Sequence, residues 1–121
     1  MLHLFDQYTA LFQSWQVTRY EQEGEAYLLH VTALMQDDSR LAIRDYLFTD
    51  QSRKYAYQWM EPDGTLRRRW DNAPHWPDVP TSPNHVHLPG KDEPEASTIT
   101  NLEELFLFLR DWYTASETEE E

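Results

Sequence analysis

The stretch Lys54-Tyr55-Ala56-Tyr57-Gln58-Trp59-Met60, then Glu61-Pro62-Asp63-Gly64, then Leu66-Arg67-Arg68-Arg69-Trp70 decides the fold. Before the turn, Tyr55, Tyr57 and Trp59 alternate with Lys54, Ala56 and Gln58; after it, Leu66, Arg68 and Trp70 alternate with Arg67, Arg69 and Asp71. A period of two is that of a strand. Proline presets φ at the first turn position, and glycine tolerates the positive φ that returns the chain to the ladder. The segment therefore predicts an antiparallel hairpin whose aromatic face is core.

Working upstream, Arg40 to Phe48 alternates again, with Leu41, Ile43 and Leu47 on one face and Asp45 among them. Asp37-Asp38-Ser39 is a tight connection to a strand over Ala26 to Gln36. Glu21-Gln22-Glu23-Gly24-Glu25 is a turn, and Val17 to Tyr20 a short extended run. At the N-terminus, Leu2, Phe5, Tyr8, Phe12 and Trp15 recur every three or four residues, which predicts a helix over about residues 2–14.

Downstream, Pro74, Pro77, Pro80, Pro83, Pro89 and Pro94 predict a long Pro/His-rich loop between Asn72 and Ser97 with no regular structure. Thr100-Asn101-Leu102-Glu103 matches a capping box. It opens a C-terminal helix with a stripe of Leu102, Leu105, Phe106, Leu109, Trp112 and Tyr113, ending near Thr114. The expected architecture is one α+β domain over residues 1–116. It has an antiparallel sheet of about five strands flanked by an N-terminal and a C-terminal helix, with an acidic tail over 117–121.

The chain has 121 residues and a formal charge of −12. Its 40% apolar content, with five Trp, seven Tyr and five Phe, is that of a folding chain. No cysteine is present, which excludes disulfides, thiolate metal sites and a Cys nucleophile. No apolar run reaches a membrane span and no signal-peptide pattern opens the chain, so a cytoplasmic protein without membrane contact is expected. The charge argues against a broad polyanion-binding surface, since such binding needs clustered Lys and Arg. By segment, residues 1–52 carry −5 and residues 91–121 carry −8, whereas residues 53–90 carry +1 together with His75, His85 and His87. Any RNA contact is thereby expected to be local, confined to the Arg67–Arg69 strand and the histidine loop.

That middle segment holds the candidate chemistry. Arg67 and Arg69 can clamp a phosphate, His75, His85 and His87 titrate near neutrality, and Asp71 can orient an imidazole. In His85-Val86-His87 an extended backbone points both imidazoles the same way. One reading is a metal-free ribonuclease site, in which one His abstracts a 2′-hydroxyl proton and another protonates the leaving oxygen. A second has His75, His85, His87 and Asp71 bind a divalent metal. A third makes the arginine run a solvated edge and the histidines loop-stabilising groups. The residues alone leave these open.

The strings Lys54-Tyr55-Ala56-Tyr57-Gln58-Trp59, Arg69-Trp70-Asp71-Asn72-Ala73-Pro74-His75 and Pro83-Asn84-His85-Val86-His87 resemble the motifs of the TumE family of bacterial toxins, roughly over residues 53–105. Trp76 stands where the family usually has a second histidine, Val86 where it has lysine, and Ser82 where it has an aromatic residue. The resemblance implies a small α+β toxin with RNA-directed activity and a helix-turn-helix antitoxin as partner. It points to Tyr57, Arg69, Asp71, Asn72, His75, His85 and His87. The expectation is His75, His85, His87 and Asp71 in catalysis, with Arg67, Arg69, Asn72 and Tyr57 on the substrate and no cofactor. The alternatives are a non-catalytic protein-binding module and a His-based metal-binding protein, and a homodimer stays open.

Overall fold

The computed structural model describes residues 2–120, with side chains through residue 116. Helix α1 (His3–Gln7) and a 3-10 turn (Thr9–Leu11) precede β1 (Phe12–Glu23), β2 (Ala26–Met35), β3 (Arg40–Leu47), β4 (Arg53–Met60) and β5 (Leu66–Asp71). Then come β6 (His85–His87), β7 (Glu95–Ala96) and α2 (Leu102–Glu120). The strands form one seven-stranded antiparallel sheet in chain order, a simple meander. The Pro-Asp-Gly turn joins β4 to β5, with Gly64 at φ +90°.

The sheet thus has seven strands where the sequence predicts about five, and the N-terminal helix is a short turn. Both differences have local causes. Phe12↔Met35 and Ser14↔Leu34 are successive pairs, so Gln13 is an extra residue in β1. This bulge turns a spacing of three into a same-face spacing on a strand, and Phe12 and Trp15 both reach Phe5. The helix-like stripe is a short helix plus a bulged strand. In the loop, the prolines exclude only their own positions from the ladder. The proline-free triplet His85–His87 pairs with β5, and Glu95–Ala96 pairs with β6.

Helix α2 lies on one face of the sheet. Leu102, Leu105, Phe106, Leu109 and Tyr113 are buried with Leu29, Val31, Leu41, Ile43, Tyr57, Trp59 and Trp70. The cap sits one residue later than predicted: Asn101 Oδ1 accepts the Glu104 N–H (2.9 Å), and the Glu104 carboxylate accepts from Thr100 N–H (3.0 Å). The helix also runs to Glu120 instead of ending near Thr114. The expected acidic tail concerns side chains outside the described residues. Trp70 packs edge-on against Phe108 and Trp59 against Trp112, so alternate residues of β4 and β5 face away from α2.

Two polar clusters tie the elements together. Asp45, only 2% exposed, accepts hydrogen bonds from Tyr27 (2.9 Å), from Arg53 (3.1 Å to each oxygen) and from Tyr57; Arg53 also donates to the Thr100 carbonyl at 2.6 Å. At the β2–β3 turn, Asp37 accepts from Ser39, Tyr113 (2.9 Å) and Arg67 (2.8 Å). Burial pushes the Asp37 carboxyl up, but the hydrogen bonds from Arg67, Ser39 and Tyr113 outweigh it and hold it down at about 2. A carboxyl held lower in the fold than in the unfolded chain stabilises fully above about pH 4, and that contribution fades as pH falls through about 2. Discounted for its partial exposure, Asp37→Asn should therefore cost about 1 kcal/mol at pH 7 and progressively less as pH falls through about 2. Urea titrations of parent and variant across that range check it.

Candidate active site

The register of β4, β5 and β6 sets the site. Ala56, Asp71 and His85 fall in one row across the sheet, and Gln58, Arg69 and His87 fall in the next. Direct cross-strand partners point to the same face, here the face away from α2. Asp71 (5% exposed) and His85 (1% exposed) are buried beneath it, while His87 is partly exposed.

His85 Nδ1 lies 2.9 Å from the Pro83 carbonyl oxygen. A carbonyl only accepts, so Nδ1 carries a proton and donates it. His85 Nε2 is then 2.9 Å from Asp71 Oδ1 and 3.1 Å from His87 Nε2, and His87 Nε2 is 3.6 Å from Asp71 Oδ2. Each of these close contacts needs a proton or a cation between its two acceptor atoms. The other contacts of the carboxylate are Ala73 N–H on Oδ1 and Arg69 Nε–H on Oδ2, both at 3.0 Å. Arg69 Nη1 donates to Gln58 Oε1 (2.8 Å), and the arginine side chain is 42% exposed, so its remaining amine faces solvent. Burial first, and then the proximity of His85 and Arg69, hold His87 below the usual histidine range against the pull of Asp71. At neutral pH it is mainly uncharged, with a lone pair to offer. The ligating atoms of Asp71, His85 and His87 all lie within 4.8 Å of one another.

The structure therefore gathers Asp71, His85, His87 and Arg69, and separates the other predicted residues from them. Arg67 lies at a register shift in β5, held by Glu61 and Asp37 with its guanidinium 4.6 Å from the Trp59 ring centre. Tyr57 is buried on the α2 face, bonded to Asp45. Asn72 extends the sheet, accepting from Tyr55 N–H (3.0 Å) and donating to the Arg53 carbonyl (2.9 Å). His75 is exposed and lines a cleft of about 530 Å³ with Trp76 and Glu95; Trp76 meets the His87 ring edge-on at 6.3 Å. Sequence reasoning missed Gln58, which orients Arg69. The alternation of β4 already placed it on the right face, but nothing local paired it with Arg69.

Neither any curated protein nor any solved structure matches the chain. The family model described as Toxin TumE matches residues 1–116, which takes in the whole sheet and the packed part of α2. With a match running through nearly all of its 121 residues, the chain belongs to the TumE toxin family.

Proposed function

We propose that this toxin acts on RNA by acid–base cleavage of the backbone, paired with an antitoxin that holds it in check in the cytoplasm. The observation that carries the reading is His87: a partly exposed, uncharged imidazole whose Nε2 faces the buried His85–Asp71 pair, beside the partly exposed Arg69 guanidinium. With its proton on Nε2, His87 presents Nδ1 as the base. It takes the 2′-hydroxyl proton as that oxygen attacks phosphorus and the bond to the 5′-oxygen breaks, leaving a 2′,3′-cyclic phosphate and a 5′-hydroxyl. Arg69 stabilises the charge gathering on the phosphoryl oxygens. His85 and Asp71, too buried to touch substrate, position His87.

Two imidazoles whose Nε2 atoms lie 3.1 Å apart sit on one side of a phosphate, so His85 is not assigned the part of acid opposite His87. In this scheme the leaving oxygen takes its proton from solvent water. The test is to incubate purified protein with RNA and analyse the ends. Cyclic phosphate formation that persists in EDTA is expected, and intact RNA under all conditions would sink the proposal.

A second reading is favoured by the convergence of Asp71, His85 and His87: two imidazoles and a carboxylate are a sound set for zinc or manganese, with the His85 Nδ1–H bond to Pro83 orienting one ligand. Stoichiometric metal by elemental analysis, lost in His85→Ala, would establish it. No thermal shift with zinc or manganese would remove it.

A further inference from the structure

The face of the sheet away from α2 carries a second feature beside the His87 centre. Reading across the ladder, Arg19, His30, Arg44 and Ala56 share one row, Tyr46 and Lys54 the row to one side of it, and Ala42, Gln58 and Arg69 the row to the other. The two alanines leave a trough of about 420 Å³, floored by Ala42 and Ala56 and walled by Arg44, Tyr46, Lys54 and Arg69. No carboxylate lines it, in a chain of formal charge −12.

Five of the cations outside the trough are paired with acids, Arg19 with Glu21, Arg53 with Asp45, Arg67 with Asp37 and Glu61, Lys91 with Glu95 and Arg110 with Asp111, while Arg68 packs over the Phe108 and Trp112 rings. Arg44 and Lys54 are exposed, and their side chains have no hydrogen bond or ion pair among the described residues. The field of Arg44 is felt locally, since His30 is held below its ordinary range first by burial and then by Arg44 and Arg19. Neighbouring strands are about 4.8 Å apart and diagonal partners about 7–8 Å. Arg44 and Lys54 are such a diagonal pair, two strands and one strand from Arg69. At one wall, Tyr46 stacks on His30 with ring centres 5.5 Å apart.

We infer that this trough is a binding groove for single-stranded RNA, in which Arg44 and Lys54 hold the phosphates next along the strand from the one at Arg69. The inference rests on the RNA reading above and extends it. A narrow alanine floor fits one backbone, and the aromatic wall offers an unpaired base a stacking face, which a duplex cannot use. The contact thus spreads across β3 and β4, beyond the Arg67–Arg69 strand and histidine loop expected from the sequence, and Arg67 takes no part.

The test uses the full chain carrying His87→Ala, so that RNA stays intact, with a fluorescein-labelled oligoribonucleotide of about twelve nucleotides. Arg44→Gln with Lys54→Gln should weaken binding at least tenfold at low salt. It should also lower the slope of log K against log salt by about 1.4, the value for two phosphate contacts on a single strand. Lys91→Gln should change affinity less than twofold, and the thermal midpoints should agree, because Arg44 and Lys54 are exposed. An unchanged affinity in the double variant, equal affinity for a duplex, or no binding by the chain at all overturns the groove. If the groove variants lose binding but the parent never cleaves RNA, the groove stands and the cleavage reading fails. If the parent cleaves and the variants bind as it does, the groove alone fails.

Discussion

His87→Ala is expected to lower RNA cleavage by about 10²–10⁴-fold, the range for loss of a positioned acid–base group, with little change in stability. The side chain is partly exposed, so its removal opens no cavity, and Asp71 keeps His85, Arg69 and the Ala73 N–H. His85→Ala is the informative contrast. His85 is 1% exposed and bridges Asp71 and the Pro83 carbonyl, so its loss leaves buried acceptors short of donors at a cost of about 1–3 kcal/mol. Activity per folded molecule, with growth arrest on expression as a second readout, separates the two effects. A His87→Ala protein that cleaves as the parent does would place the base elsewhere.

The other large effect is on stability. Arg53→Met should destabilise by about 3–5 kcal/mol, because it strands the Asp45 carboxylate, 2% exposed, with only the hydroxyls of Tyr27 and Tyr57. It also cuts the bond to the Thr100 carbonyl that anchors the start of α2. In a chain this size the thermal midpoint should fall by roughly 10 °C or more. The double variant Asp45→Leu with Arg53→Met should recover part of the loss, since no buried charge is then left unpaired. Urea unfolding of the single and double variants measures the coupling. A cost below about 1 kcal/mol for Arg53→Met would mean that the cluster is solvated and that its burial has been misjudged.

Much of the site was legible in the chain. The alternation around Tyr57 and Trp70 gave the β4–β5 hairpin and its buried face, and the spacing in His85-Val86-His87 put both imidazoles on one side. What defeated local reading were insertions and pairings. The bulge at Gln13 made β1 resemble helix, because one extra residue in a strand converts period two into a spacing of three. The prolines hid β6, because their exclusion from a ladder is local to each ring while its effect on a sequence window is broad. Arg67 and Arg69 look equivalent in a run of three arginines, yet the register shift at Met60 sends them to different partners.

The sequence by itself determined the elements that rest on periodicity and turn chemistry: the hairpin strands, the apolar stripe of α2, and the residue types a phosphate-directed site would need. Only the tertiary structure decided which of those residues meet. Asp71 and His85 are joined by a β5–β6 register, and Arg44 and Lys54 share a trough with Arg69, through backbone pairings between distant segments. Pairing depends on which strand lies next to which, and that is a property of the folded sheet that no single stretch of chain encodes.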